Sequence, residues 1–218
     1  MTNALGIQPL TASESVVYVI DDDESQRKAL SSLFRSSGMG VETFSSCDDF
    51  LRFKRPEIPG CLILDVRLQG YSGLVFQEQE ALRREPIPIV FITAHGDVWM
   101  CAKAMKAGAI DFLTKPHRDQ EVLDAVVRGI ERDFIRRRLA IQNAELERRF
   151  ETLSHREREV MSYIFGGLAN KQIAATLGLS EVTVKIHRGH LMQKMGSRSV
   201  VDLVQKAGLL GFSQLRAI

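Results

Sequence analysis

The sequence predicts an α/β fold with a doubly wound, five-stranded parallel sheet, joined by a long helix to a smaller all-α domain of four helices. Over the first 120 residues, short apolar runs alternate with amphipathic segments of helix length, which is typical of repeated βα units. A stretch of roughly thirty residues then keeps a helical pattern without proline. The remaining residues show helical patterns only, separated by capping and stop signals.

Five apolar runs of the first part are the predicted strands. Their near-continuous apolar character indicates a parallel sheet that is buried on both faces, and ligands collect at the carboxyl ends of the strands in such sheets. The strands are expected at 16–20, 41–44, 61–64, 89–92 and 112–113. The intervening helices are expected near 24–37, 47–54, 72–84 and 97–107.

One helix is expected over residues 121–150, with a length of about 45 Å at 1.5 Å per residue. Two interpretations of this helix stay open. It can form a short coiled coil between two copies of the chain, or it can be a solvated linker helix that lies against its own domain. The apolar stripe that permits the coiled coil is interrupted by Gln142 and consists of Ile135, Leu139, Leu146 and Phe150.

The all-α part begins with an S-x-x-E pattern, in which Ser154 and Glu157 predict a capping box at the start of its first helix. Ser180 and Ser199 are further predicted caps, and Gly178 and Gly196 are predicted stops. The four helices are therefore expected over about 155–166, 170–177, 181–195 and 200–208.

The net charge is only +2, but it is unevenly distributed. Residues 1–120 carry 13 Lys and Arg against 16 Asp and Glu, residues 121–153 carry 7 of each, and residues 154–218 carry 9 against 4. An acidic first part and a basic last part indicate a cation site in the first domain and a polyanion site in the second.

Cysteine content and hydropathy indicate the compartment. Cys47, Cys61 and Cys101 are odd in number and far apart, which suits a reducing cytosol and argues against a cysteine metal site. No apolar run has the roughly 18 to 20 residues that a membrane helix needs, and the start lacks the pattern of a signal peptide. We therefore expect a cytoplasmic protein without a membrane partner and with a flexible tail at 1–14.

Polar side chains stand at the ends of four predicted strands. Clustered carboxylates repel one another unless a cation lies among them, and Mg²⁺ prefers oxygen ligands. An aspartate beside such a metal can attack phosphorus, while a lysine and a hydroxyl stabilise the phosphate. The acidic run alone is more typical of a helix N-cap cluster, but the combination favours a phosphoryl-transfer site. The residues are Asp21, Asp22, Asp23, Asp65, Thr93 and Lys115.

The third helix of the all-α part has two distinct faces. Val184, Leu191 and Met195 fall on a core face. The opposite face is suited to a DNA major groove and contains Val182, Lys185, Ile186, Gly189 and Gln193. The cations that can reach phosphates are Lys171, Arg188, Lys194 and Arg198. A small helical bundle with a merely basic surface stays the alternative on this pattern alone.

The motifs VIDDD, LILDVRLQGYSG, FITAHGD and AMKAGAIDFLTKP resemble, in order and spacing, the receiver domain of two-component signalling over about residues 14–130. The resemblance implies a flavodoxin-like fold with Asp65 as phosphoacceptor and Lys115 as the phosphate-binding lysine. It also implies that Thr93 is the switch hydroxyl, that Phe112 is the switch aromatic, and that the Lys115–Pro116 bond is cis.

The same resemblance implies a Mg²⁺ site. Asp22, Asp65 and the backbone carbonyl of Arg67 match the metal ligands, and Asp21 matches a residue that acts mostly through water. Two departures from the family pattern do not touch the chemistry but lie on surfaces that signal or recognise partners. LQGYSG, with Gln69, stands where many receivers have MPGMSG, and Trp99 stands where similar sequences often have proline.

The motifs LSHREREVM and GLANKQIAATLGLSEVTVKIHRGHLMQKM resemble the LuxR/NarL/FixJ helix-turn-helix domain over about residues 153–210. The FixJ-like subgroup fits the whole chain best. Its third helix enters the major groove, which implies base contacts by Lys185 and Ile186. Gly189 is a departure, because similar sequences often carry a side chain there that reaches DNA. The implied DNA-backbone contacts are Thr183, Asn170 and Lys171.

Together the two resemblances imply a response regulator that a histidine kinase phosphorylates on Asp65. It then dimerises or rearranges, binds promoter DNA, and regulates transcription, with RNA polymerase as a further partner. It is not expected to be an enzyme, although it can lose its own phosphoryl group. The implied regions are a tail (1–14), a receiver domain (15–120), its last helix with a helical linker (121–152), and the helix-turn-helix domain (153–218).

Two other functions fit part of the sequence. A metal-dependent phosphohydrolase can use Asp65 as nucleophile, but such enzymes commonly need a second aspartate two residues later, where this chain has Arg67. A DNA-binding protein that works without phosphorylation is the other rival, and the intact acidic set argues against it.

Overall fold

The computed structural model describes residues 15–83 and 85–211, so the tail expected at 1–14 lies outside the described residues. The chain divides into two compact units, Met1–Arg137 and Arg138–Ile218. Each unit has a hydrophobic core of its own.

The strands of the described residues all lie in the first unit. In chain order they are β1 (Val16–Ile20), β2 (Gly40–Phe44), β3 (Gly60–Leu64), β4 (Arg67–Leu68), β5 (Tyr71–Ser72), β6 (Ile89–Thr93) and β7 (Asp111–Thr114). All except β4 and β5 form one parallel sheet in the order β2-β1-β3-β6-β7. This arrangement confirms the predicted five-stranded α/β fold.

Both faces of the sheet are covered, as the apolar strands predicted. In β1, Val16, Tyr18 and Ile20 belong to the core on one face, whereas Val17 and Val19 belong to the core on the other. This alternation follows from the two-residue period of a strand. The whole of β1 is therefore buried, and the polar residues that follow it in the chain lie at the edge of the sheet.

The register of the central strands determines which residues meet at that edge. Ile20 of β1 pairs with Leu64 of β3, and the backbone N–H of Asp65 donates to the carbonyl of Ile20 at 3.1 Å. The residues that follow the two strands, Asp21 and Asp65, therefore come to the same edge of the sheet.

The helices of the described residues agree with the expected pattern to within a few residues at their ends. They are α1 (Glu24–Ser36), α2 (Cys47–Arg52), α3 (Gly73–Ala81), α4 (Val98–Lys106), α5 (Asp119–Glu151), α6 (His155–Phe165), α7 (Asn170–Leu177), α8 (Glu181–Lys194) and α9 (Val200–Leu209). None of the helices in the described ranges is both long and apolar enough to cross a bilayer.

The antiparallel pair formed by β4 and β5 was not predicted. Arg67 pairs with Ser72 and Leu68 pairs with Tyr71. Gly70 turns the chain between them with φ of +75°, a conformation that glycine adopts without steric cost. The segment LQGYSG, which departs from the family pattern, is therefore part of a small hairpin shortly after Asp65. The hydroxyl of Tyr71 in this hairpin donates to Oε1 of Gln79 in α3 at 2.6 Å.

A buried carboxylate attaches α5 to the sheet of the first unit. Asp133 is only 1% exposed, and its Oδ2 accepts from the backbone N–H of Gly60 at 3.0 Å. Arg136 and Arg137 donate to the same carboxylate at 2.7 and 2.8 Å. Because a buried charge is costly unless it is paired, these donors allow Asp133 to lie in the interior.

The second unit has a core made by α6, α7, α8 and α9 together with residues of α5 that lie beyond Arg137. The predicted capping box of α6 is present, with Ser154 and Glu157 bonding each other's backbone N–H groups. Val184, Leu191 and Met195 are each fully buried, as the helical pattern predicted.

The apolar stripe predicted along α5 needs a correction. Leu146 is buried in the core of the second unit, and Phe150 packs against that core. Ile135 and Leu139 are 43% and 54% exposed. Leu146 and Phe150 are therefore not available for a coiled coil, because they pack in the core of the second unit. Only Ile135 and Leu139 of the predicted stripe are exposed.

Candidate functional site

The candidate site of the first unit lies at the carboxyl edge of the sheet, where Lys115 joins two carboxylates. The Lys115 ammonium donates to Oδ2 of Asp21 at 2.8 Å and to Oδ2 of Asp65 at 3.2 Å. Asp21 is 3% exposed and Asp65 is 9% exposed. Three residues separated by up to 94 positions in the chain thus form one charged cluster.

Two opposing effects act on the pKa of Lys115: burial of its side chain and its interactions with the two carboxylates. Burial of the side chain works to lower the pKa, but the hydrogen bond and the charge of Asp21, together with those of Asp65, outweigh it. The pKa therefore lies above the ordinary value for lysine, and Lys115 stays a cation across the physiological pH range.

Two of the three aspartates that follow β1 make different contacts. Asp23 caps α1, accepting from the backbone N–H of Ser25 at 2.7 Å, and hydrogen bonds from Ser25 lower the pKa of its carboxyl group. Asp21 accepts from Lys115 and from the backbone N–H of Asp23 at 2.9 Å. The N-cap interpretation is thus correct for Asp23, whereas Asp21 belongs to the charged cluster.

Asp65 is held in place on both sides of its carboxylate. Its Oδ1 accepts from the backbone N–H of Arg67 at 3.0 Å, while its Oδ2 faces Lys115. A Cβ atom at Gly73 would overlap the carbonyl oxygen of Asp65. A glycine at the start of α3 therefore allows this helix to approach the end of β3 closely.

The predicted switch pair lies beside this cluster on β6 and β7. Thr93 is buried, and its Oγ1 accepts from the backbone N–H of His95 at 3.3 Å. The Phe112 ring is partly buried and lies 6.0 Å from the Phe91 ring, measured between centroids. A Cβ atom at Gly96 would lie 2.7 Å from the Phe112 ring, so glycine leaves the ring its present space. The Lys115–Pro116 bond is cis.

The second unit exposes the face of α8 that was predicted to read DNA. Val182 is 69% exposed and Ile186 is 53% exposed, and Lys185 and Gly189 are exposed as well. Val182 and Ile186 are four residues apart and therefore neighbours on the surface of the helix. This face therefore combines two exposed apolar side chains with an exposed cation.

The cations around α8 are not equivalent. Lys194 was expected to reach phosphates, but it donates to the buried carboxylate of Glu157 and to the carbonyl of Thr152 at 2.7 and 3.1 Å. Burial raises the pKa of Glu157, but hydrogen bonds from Lys194 and Ser154 outweigh this and leave the pKa below its ordinary value. Lys194 therefore stabilises the fold of the second unit. Lys171, Lys185 and Arg198 are exposed.

Comparison with known families decides what these two sites belong to. The family described as response regulator receiver domain matches residues 17–127, and the bacterial regulatory proteins of the luxR family match residues 151–207. The first match alone covers half of the chain. The chain belongs to the response regulators.

Relatives and a solved structure agree with this assignment over nearly the whole response regulator. Nodulation protein W of Bradyrhizobium diazoefficiens is 51% identical over 202 residues, which are 93% of this chain and 89% of that protein. Transcriptional regulatory protein FixJ of Azorhizobium caulinodans is 40% identical over 195 residues, 89% of this chain and 92% of its own. The structure of response regulator StyR is 47% identical with a TM-score of 0.79, covering 90% of this chain and 99% of that one.

The response regulator is therefore a two-component regulator of transcription with a receiver domain and a LuxR-type DNA-binding domain. The relative FixJ is described as a transcriptional regulatory protein. The recognition made from the sequence motifs is thus confirmed at the level of the family.

Receiver domains generally bind Mg²⁺ for phosphorylation, and the donor set of this response regulator fits that ion. Among the described residues, no three His, Cys, Asp or Glu side chains converge as a metal site. Mg²⁺ does not require three, because it keeps several waters and takes one or two carboxylates. Asp65 and Arg67, joined by the hydrogen bond from the Arg67 N–H, lie where β3 ends, and the half-buried Asp22 follows Asp21 after β1.

Sequence reasoning missed contacts that join distant parts of the chain. Nη1 of Arg27 in α1 donates to the carbonyl of Asp21 at 2.7 Å, and Arg188 in α8 donates to Asn170 in α7. The arginines and their partners were visible as residue types. Nothing in a single sequence indicates which distant polar groups will pair.

Proposed function

We propose that a cognate histidine kinase phosphorylates this response regulator on Asp65. The observation that supports the proposal is the ammonium of Lys115, which joins Asp21 and Asp65 at the end of the sheet. An ammonium at that position neutralises the carboxylates at rest, and it can pair with a phosphoryl group once one is attached to Asp65.

The proposed reaction transfers a phosphoryl group from the histidine of the kinase to a carboxylate oxygen of Asp65. A P–O bond forms as the P–N bond breaks, and the imidazole nitrogen leaves with the electron pair of that bond. Lys115 then donates to a phosphoryl oxygen, and the Thr93 hydroxyl donates to another. Loss of the phosphoryl group to water returns the resting state.

The residues that would hold Mg²⁺ are Asp22, Asp65 and the backbone carbonyl of Arg67, with Asp21 acting through water. When bound, the ion neutralises the negative charge of the phosphoryl oxygens during transfer. Lys115 would share this task, because its ammonium already contacts Asp65.

We predict that the full-length response regulator gains one phosphoryl group when it is incubated with acetyl phosphate and Mg²⁺. Intact-mass spectrometry measures the gain, and the label should survive acid but not alkali, as acyl phosphates do. A chelator should prevent it, because the phosphoryl oxygens then lack their main counter-charge. Labelling that is unaffected by the chelator would contradict the proposed metal site.

The proposed switch links the phosphoryl group to the surface of α4. Thr93 moves toward the phosphate, and Phe112 rotates into the space that Thr93 leaves. The altered face then pairs with the same face of a second copy, in the cytoplasm, where the dimer meets promoter DNA and RNA polymerase. Val98, Trp99 and Met105 of α4 are exposed apolar side chains that such pairing would cover.

We predict that beryllofluoride, a phosphoryl mimic, raises the average mass of the full-length chain from monomer toward dimer. The effect needs only a few kcal/mol of differential binding between the two states. Multi-angle light scattering with and without the mimic measures it. Equal masses in the two forms would contradict switch-driven pairing, and a dimer in both would point to the exposed Ile135 and Leu139 of α5.

The proposed role of the second unit is to place α8 in the major groove. Lys185 and Ile186 would read base edges, with Val182 beside them. Contacts to the DNA backbone would fix the register of the helix without reading sequence. The residues proposed for backbone contacts are Thr183, Lys171, Arg188 and Arg198.

A further inference from the structure

The second unit contains a side-chain hydrogen bond that joins α7 to α8. Nη1 of Arg188 donates to Oδ1 of Asn170, the first residue of α7, at 2.7 Å. Both side chains are partly buried, whereas the neighbouring cations Lys171 and Lys185 are exposed. The guanidinium of Arg188 is therefore held at the junction of the two helices, while its neighbours point into solvent.

The bond uses an atom of Asn170 that cannot contact a phosphate. Oδ1 is an acceptor, and phosphate oxygens are acceptors as well, so only Nδ2 of Asn170 can donate to DNA. Another residue caps α7, since Oε1 of Gln172 accepts from the backbone N–H of Ala169 at 2.8 Å. The Oδ1 atom of Asn170 is thus available to orient Arg188.

Arg188 keeps most of its donors when it is held in this way. A guanidinium has five N–H donors in a planar fork, and the bond to Asn170 uses one of them. An arginine whose plane is already fixed loses less conformational freedom on binding phosphate than a freely rotating one. Arg188 follows Lys185 by three residues in α8, so the two cations are neighbours on the helix surface.

We infer that Asn170 is a positioning residue for DNA binding, which holds the Arg188 guanidinium toward one phosphate of the DNA backbone. This inference rests on the proposed function of the second unit. It replaces the direct phosphate contact that the family resemblance implies for Asn170. The two roles differ in one measurable respect: a positioning residue has no effect on DNA binding once Arg188 is absent.

A double-mutant cycle tests the inference on the full-length chain. Fluorescence anisotropy would measure binding to a random-sequence duplex of about 30 base pairs, roughly three helical turns, at several salt concentrations. Asn170→Ala should weaken binding about two- to tenfold in the wild-type background and leave affinity nearly unchanged in the Arg188→Ala background. Arg188→Ala should lower the salt slope by about 1, whereas Asn170→Ala should keep the slope, because the cation remains.

Gln172→Ala is the matched control for a merely structural effect. It removes a hydrogen bond from the same helical turn without touching Arg188. Its effect on affinity should therefore be equal in the wild-type and Arg188→Ala backgrounds. The guanidinium resonances of Arg188, assigned by their loss in Arg188→Lys, provide a second measurement. They should show slow N–H exchange in the wild type and fast exchange in Asn170→Ala.

The outcomes separate the inference from the function on which it rests. The positioning role is wrong if Asn170→Ala weakens DNA binding equally with and without Arg188. It is also wrong if the N–H groups of Arg188 exchange as fast in the wild type as in Asn170→Ala. In both cases the proposed DNA binding still stands. If the wild-type chain shows no salt-dependent binding to any duplex, the proposed DNA-binding function and the inference both fail.

Discussion

Replacement of Asp65 by asparagine is expected to abolish labelling by acetyl phosphate in the presence of Mg²⁺. The amide has the size of the carboxylate but cannot act as the oxygen nucleophile at neutral pH. The variant should still fold, because Lys115 keeps its 2.8 Å contact with Asp21. Intact-mass spectrometry should therefore show the unlabelled mass only, and beryllofluoride should no longer change the average mass of the chain.

Asp23→Asn is the matched control for this variant. It changes an aspartate of the same acidic run, but Asp23 caps α1, and asparagine is an equally good N-cap residue. Labelling should persist in the control. If Asp65→Asn is labelled as fully as the wild type, Asp65 is not the acceptor, and the assignment of the site collapses.

Replacement of Lys185 by alanine is expected to weaken binding to a specific promoter about ten- to a hundredfold at fixed salt. Lys185 is exposed on α8 between Val182 and Ile186, where its ammonium can donate to guanine O6 or N7. Binding to scrambled duplexes should change much less. Binding isotherms on both duplexes, with the promoter identified by selection from random sequences, measure the difference.

Arg198→Ala is the companion variant for a contact to phosphate. Arg198 lies between α8 and α9, off the face that would enter the groove. Its loss should weaken specific and scrambled duplexes to a similar degree and lower the salt slope by about 1. If Lys185→Ala weakens both duplexes equally, α8 does not read bases through that residue, and the proposed placement in the groove is wrong.

The strands and the edge of the sheet were predictable because they depend on local properties. VVYVI and CLIL are short, nearly continuous apolar runs, which are typical of central parallel strands, and the polar residue after each strand then lies at the carboxyl edge. Asp21 and Asp65 consequently lie together at the carboxyl edge of the sheet, as the strand pattern predicted. The caps of α6, α8 and α9 were readable for the same reason, since a cap spans only three or four residues.

The parts that sequence reasoning missed depend on contacts between distant residues. Lys194 looked like a phosphate-binding cation because its charge is visible in the sequence, whereas the buried Glu157 that it pairs with lies 37 residues away. Leu146 fitted a coiled-coil stripe because its spacing is helical, and the same spacing serves a core. Periodicity shows that a face is apolar, but it does not show which surface will cover that face.

The burial of Leu146 has a practical consequence for dissecting the chain. A DNA-binding fragment that starts at residue 153, where the recognisable motif begins, would lack both Leu146 and Phe150 and would leave part of its own interior open to water. The solubility and DNA affinity measured for this fragment would then be those of a domain with an incomplete hydrophobic core. A fragment that starts near Arg138 would keep the last turns of α5 and with them an intact interior.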